Sequence, residues 1–166
     1  DWAQGTYWGV AMEAFTSKYG DVSRELQSHL AMFRENAPLA QILKTNFYFD
    51  DPTSPLRGPD GPTPASTKFT VHNEYPICAM VDGNLLRGFI DRLIVMRVNQ
   101  RIVAVDICDY KTDRVDDGTE QLTASVSYYR PQVTAYRKAI AQMFALESVQ
   151  IGARLIFTHA GVQVSV

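Results

Sequence analysis

Three apolar runs rich in β-branched residues lie between residues 68 and 109, separated by turn signals too short for anything but a reversal of direction. Lys68–Val81 leads into Asp82-Gly83-Asn84, Leu85–Val98 leads into Asn99-Gln100, and Arg101–Asp109 follows. Such tight connections join antiparallel neighbours, because a parallel pair needs a long crossover. The middle of the chain is therefore committed to three antiparallel strands. Pro76 lacks the N–H that a central strand donates, so the first strand belongs at an edge or carries a bulge.

The flanking segments are helical in pattern. Trp2, Tyr7, Trp8, Met12 and Phe15 recur at helical spacing, a second helix is predicted over residues 22–33, and Pro38 can open a short third one reaching Leu43. Residues 50–66 hold five prolines and two glycines and read as an exposed loop. After a polar stretch at 113–125, residues 126–146 turn helical, with Val133, Tyr136, Ile140, Met143 and Phe144 on one side and Pro131 near the start. Val149–Thr158 reads as a fourth strand, and Ala160-Gly161 turns the chain toward a short last one. Helices, three antiparallel strands, a helix and a strand make an α/β arrangement with a mixed sheet.

With 166 residues, 46% of them hydrophobic, the chain suits one domain with a proper core. A net charge of −2 carries no basic field of the kind a free-standing DNA-binding module shows. Cys78 and Cys108 sit in strand-like runs and are expected to be buried free thiols. Two cysteines cannot supply an all-thiolate zinc or iron–sulfur site. No apolar run approaches the roughly 20 residues a membrane-spanning helix needs, so no membrane partner is expected. The chain opens at Asp1 without Met, as a piece excised from a longer protein would, and a cytoplasmic setting is expected.

Alternation along the strands exposes an oddity. With a period of two, Val103, Val105, Ile107, Asp109 and Lys111 share one face, as do Phe89, Asp91, Leu93 and Val95. Carboxylates thus fall among inward apolar positions. If the second and third strands pair through the turn at 99–100, Asp91 lies across from Asp109. Two neighbouring carboxylates repel unless a cation sits between them. A hard divalent ion takes such ligands, and Lys111 beside them can stabilise developing negative charge. A structural ion-pair network is the alternative reading of the same three residues.

The stretches Gly88-Phe89-Ile90-Asp91, Asp109-Tyr110-Lys111-Thr112 and Tyr129-Arg130-Pro131-Gln132 with Tyr136 form an ordered set. The set resembles the PD-(D/E)XK nuclease superfamily and, more narrowly, the C-terminal nuclease domain of AddA- and RecB-type helicase–nucleases. Gly5-Thr6 and Glu13 extend the likeness to the first helix. The resemblance implies a restriction-endonuclease-like core, a mixed central sheet flanked by helices. It implies Mg²⁺ or Mn²⁺ bound by Asp91, Asp109 and the Tyr110 carbonyl, with Lys111 as the catalytic lysine. Gln132 and Tyr136, with Tyr129 and Arg130, match the helix motif that helps position DNA, although Tyr136 also fits the apolar stripe. DNA, a helicase domain in the same polypeptide and a second nuclease or helicase subunit are the implied partners, and double-strand-break repair the implied process.

One position departs from the pattern. Relatives of this type show G-T-x-x-H-x-x-x-E in the first helix, whereas this chain reads G-T-Y-W-G-V-A-M-E over residues 5–13. Gly9 stands where a histidine ligand is expected. That opens a second reading, a catalytically silent module that keeps the fold for DNA-channel or subunit docking. Glu13, one helical turn on, and Glu74 in H-N-E-Y-P are further acidic candidates. His29, His72 and His159 match no ligand position and read as ordinary polar residues.

Overall fold

A computed structural model describes residues 67–115 and 118–166, together with Gln41, Phe47, Tyr48, Asp51 and residues 54–57. The helices expected over residues 2–15 and 22–33, with Gly9 and Glu13, lie outside the described residues.

Five strands form one sheet in the order β1 (Thr67–Val81), β2 (Asn84–Val98), β3 (Arg101–Lys111), β4 (Ile151–Phe157) and β5 (Val162–Ser165). All neighbours are antiparallel except β3 and β4, which run parallel. The parallel pair is joined by α1 (Glu120–Phe144), the crossover that such a pair requires. Among the described strands β1 lies at the edge, one of the two places where Pro76 is tolerated. Both hairpin turns have two residues at positive φ, Asp82 and Gly83 at 49° and 80°, Asn99 and Gln100 at 49° and 68°. That backbone matches the right-handed twist of the strands it joins.

Each face of the sheet carries its own apolar layer. Leu93, Val95, Val105, Ile107, Leu155 and Phe157 pack with Val133, Ala139 and Ile140 of α1. Ile94, Met96, Ala104, Cys108 and Ile156 pack on the other face with Tyr48 and Leu56. Each fully buried Leu or Ile side chain contributes roughly 1.5–3 kcal/mol, which anchors β3 from both sides.

Several expectations are corrected. α1 starts at Glu120 rather than 126, because the Thr119 hydroxyl caps the Leu122 N–H at 3.2 Å and outweighs the polar composition of the first turns. Pro131 is consequently interior and withholds the N–H that the Ser127 carbonyl would accept. Strand β4 begins at Ile151, since Ser148–Gln150 forms a 3₁₀ turn. The proline-rich stretch is not all surface: Leu56, in a 3₁₀ turn over Pro55–Arg57, is fully buried against the sheet. Cys78 is exposed, because it lies on the outer face of the β1–β2 hairpin, whereas Cys108 is buried. Val103 leaves the expected face: the β2–β3 register shifts between Met96 and Arg97, making Val103 the extra residue of a bulge.

Candidate active site

The regular β2–β3 ladder ends at Arg92↔Cys108, one residue short of Asp91 and Asp109. Beyond it the Asp91 carboxylate takes over, accepting the Tyr110 backbone N–H at 2.7 Å. On the other side of Asp91 the β1–β2 pairing skips from Asn73↔Arg92 to Tyr75↔Ile90, and Glu74 between them has φ 50°. The side-chain alternation of β2 breaks there. Ile90 and Leu93 belong to the same apolar layer, and Phe89 is exposed rather than sharing a buried face with Leu93 and Val95. The kink lets a carboxylate stand at the end of an otherwise apolar strand pair.

Asp109 is 2% exposed, and its Oδ2 lies 2.6 Å from Lys111 Nζ. That oxygen is buried and, among the described residues, has no well-aligned hydrogen bond. Burial pushes the Asp109 carboxyl above the usual carboxylate range, Lys111 opposes the shift, and the nearby Asp91 charge adds to it.

Lys111 is held by α1. Its ammonium donates to Gln132 Oε1 at 3.0 Å and sits 4.0 Å from the centre of the Tyr129 ring. Gln132 Nε2 donates in turn to the Tyr136 hydroxyl at 2.8 Å. Gln132 and Tyr136 are four residues apart, hence neighbours on one helix row. Gly88 faces this end of the row, and a Cβ there would meet the Tyr136 hydroxyl at 3.7 Å. The Tyr129 hydroxyl donates to Asp113 at 2.9 Å, and that bond, with some burial, raises the phenol pKa. Arg130 is exposed and joins none of these contacts. Glu74 is exposed, across from Asp91 by register.

A divalent ion fits this donor set. Asp91 and Asp109 are adjacent carboxylates whose charges oppose one another, and Asp109 Oδ2 is a buried acceptor that faces the Lys111 ammonium. In a strand a residue's N–H and C=O point to the same edge, so the Tyr110 carbonyl faces the side where Asp91 meets its N–H. Among the described residues no three His, Cys, Asp or Glu side chains gather as a complete site. One or two carboxylates with waters are what Mg²⁺ ordinarily takes.

On the opposite face the sequence reading missed a second polar cluster. The Arg154 guanidinium pairs with Asp106 through Nε at 3.0 Å and through Nη2, and its Nη1 donates to Asp51 and Gln163, both at 3.1 Å. Burial works against the Arg154 charge, and Asp106 with its other acidic neighbours more than offsets it, raising that pKa. Burial pushes Asp106 up while Arg154 holds it down. The Tyr48 hydroxyl contacts Cys108 Sγ at 3.6 Å, and burial pushes the Cys108 thiol up to about 12, so it is inert. The available signal was a charge inside each of two apolar runs, Asp106 in β3 and Arg154 in β4.

The model of the PD-(D/E)XK nuclease superfamily matches residues 12–164. The chain belongs to that superfamily, and its mixed sheet with a crossover helix is a restriction-endonuclease-like α/β fold. No curated protein matches it. No helix among the described residues is long and apolar enough to cross a membrane.

Proposed function

We propose that this chain is a Mg²⁺- or Mn²⁺-dependent deoxyribonuclease domain that hydrolyses phosphodiester bonds in exonuclease fashion. It would act in the cytoplasm as part of an AddA- or RecB-type helicase–nuclease, on DNA unwound by a helicase domain of the same polypeptide, with a second subunit as partner in double-strand-break repair. The observation that carries the reading is the convergence of Asp91, Asp109 and Lys111 at the point where β2 leaves β3.

Asp91, Asp109 and the Tyr110 carbonyl are the ion's holders in this reading. A bound ion would supply Lewis-acid polarisation of the phosphoryl oxygen and activate the attacking water. The protein's own contribution centres on Lys111. An ammonium has three N–H donors. One faces Asp109 and one is given to Gln132, which leaves one for an oxygen of the scissile phosphate or the attacking water. Because Gln132 spends both ends of its amide on Lys111 and Tyr136, it serves DNA by fixing the lysine.

The silent-module reading rests on Gly9, which lies outside the described residues, and on the net charge of −2. Cleavage of linear single-stranded DNA with Mg²⁺ or Mn²⁺, beside EDTA and Lys111→Ala controls, separates the two. Metal-dependent cutting that the lysine variant lacks supports the nuclease. A folded chain that binds no Mn²⁺ and cuts nothing sinks it, and Gly9→His is then the restoring change to try.

A further inference from the structure

Tyr128 lies outside every motif in the sequence, and it is 77% exposed. It is not a stray surface residue. Tyr128, Gln132 and Tyr136 are spaced by four and form one row along α1, so Tyr128 stands one turn beyond the side chain that grips Lys111. Its ring is 4.9 Å from the Tyr129 ring at 81°, and Tyr129 is the ring that underlies the Lys111 ammonium. Among the described residues that ring contact is its one recorded partner. A large aromatic is thus held at the mouth of the cluster and left bare.

A chain of net charge −2 offers phosphates no broad basic field, which leaves room for base contacts to add affinity. Base–aromatic stacking does this without reading sequence, and it needs an unpaired base. The geometry points to Tyr128 as a stacking platform that holds an unpaired base of the unwound strand next to the scissile phosphate. The inference rests on the nuclease reading and names what that site grips.

Anisotropy of a fluorescent dT12 oligonucleotide, against the same backbone made wholly abasic, tests it in EDTA, where nothing is cut. Both probes carry the same phosphates, so their difference isolates the bases. The wild-type chain should prefer dT12, Tyr128→Ala should narrow the preference by about tenfold, and Tyr128→Phe, which keeps the ring, should restore it. With Mg²⁺ or Mn²⁺ the alanine variant should raise KM on dT12 and leave kcat near wild type, since Lys111 keeps Asp109 and Gln132. Equal dT12 affinity for wild type and Tyr128→Ala, a Phe variant that behaves like Ala, or no base preference in the wild type would each overturn the proposal. Base-dependent binding with no cutting by any metal would instead overturn the nuclease reading and leave the stacking role standing.

Discussion

The Asp91 carboxylate accepts the backbone N–H of Tyr110 at 2.7 Å, doing for β3 what a strand carbonyl would do if β2 continued alongside. The side chain therefore replaces a rung of the ladder. Its position is fixed by the backbone of the strand that carries Asp109 and Lys111, so the two carboxylates keep their spacing even where the sheet opens.

Lys111→Ala should lower cleavage by roughly 10²–10³-fold, the scale of losing one preorganised donor. Mn²⁺ binding, read by calorimetry, should survive. Gln132→Leu removes the lysine's anchor on α1 and should cost up to about 10²-fold through misplacement, with Mn²⁺ binding unchanged. Asp109→Ala should lose both binding and cleavage. A lysine variant that cuts at the wild-type rate would show that Lys111 has been given the wrong role.

Asp109 should also set a pH dependence. Its folded-state pKa is raised, chiefly by burial, so the native state holds that proton more firmly than the unfolded chain does. The buried charge thus destabilises the metal-free chain most fully above the folded pKa, and the penalty fades as pH falls from there to the ordinary aspartate pKa. In EDTA, Asp109→Asn should melt at a higher temperature than wild type near pH 8, with the gap closing toward acid. Metal affinity should move the opposite way, weakening from a higher pH than an ordinary aspartate would dictate. Calorimetric melting across that range checks the first effect, and Mn²⁺ titration the second.

Removing one member of the buried Arg154–Asp106 pair should be severe. Arg154→Met leaves Asp106 charged and unpaired, which costs about 3–5 kcal/mol. Adding Asp106→Asn should recover part of the loss. Urea unfolding of the single and double variants measures both, and cleavage by whatever folded fraction remains should keep the wild-type KM, since this cluster lies on the face away from Lys111.

Gly152→Ala should destabilise as well. A Cβ at that position would lie 2.8 Å from Pro55 Cδ and 3.0 Å from Asp106 Oδ1. A proline ring cannot swing aside, so overpacking of about 1–3 kcal/mol is expected, again readable by urea unfolding.

The strands were legible because their turns are short and their register follows arithmetically. Asp82-Gly83 and Asn99-Gln100 located two reversals, and the second put Asp91 across from Asp109. What escaped were departures from strict alternation. A bulge moved Val103 to the other face, and the kink at Glu74 and Asp91 separated Phe89 from Leu93. Neither leaves a composition signal, because both arise from how two strands fit. The start of α1 was hidden for a related reason: Thr119 acts through a single cap while the residues after it are polar. Arg154 and Asp106 were visible as charges in apolar runs, but nothing in one dimension says that they meet.

Every strand of the sheet pairs with its neighbour in sequence, and only the step from β3 to β4 requires a long connection. Local pairings form fast, and non-local ones wait for loop closure. The β2–β3 hairpin can therefore bring Asp91 and Asp109 together before α1 has docked. Lys111 meets Gln132 only once the crossover has closed. During folding the acidic half of the site would exist before its lysine clamp, and a divalent ion met at that moment would act on the order of assembly as well as on its product.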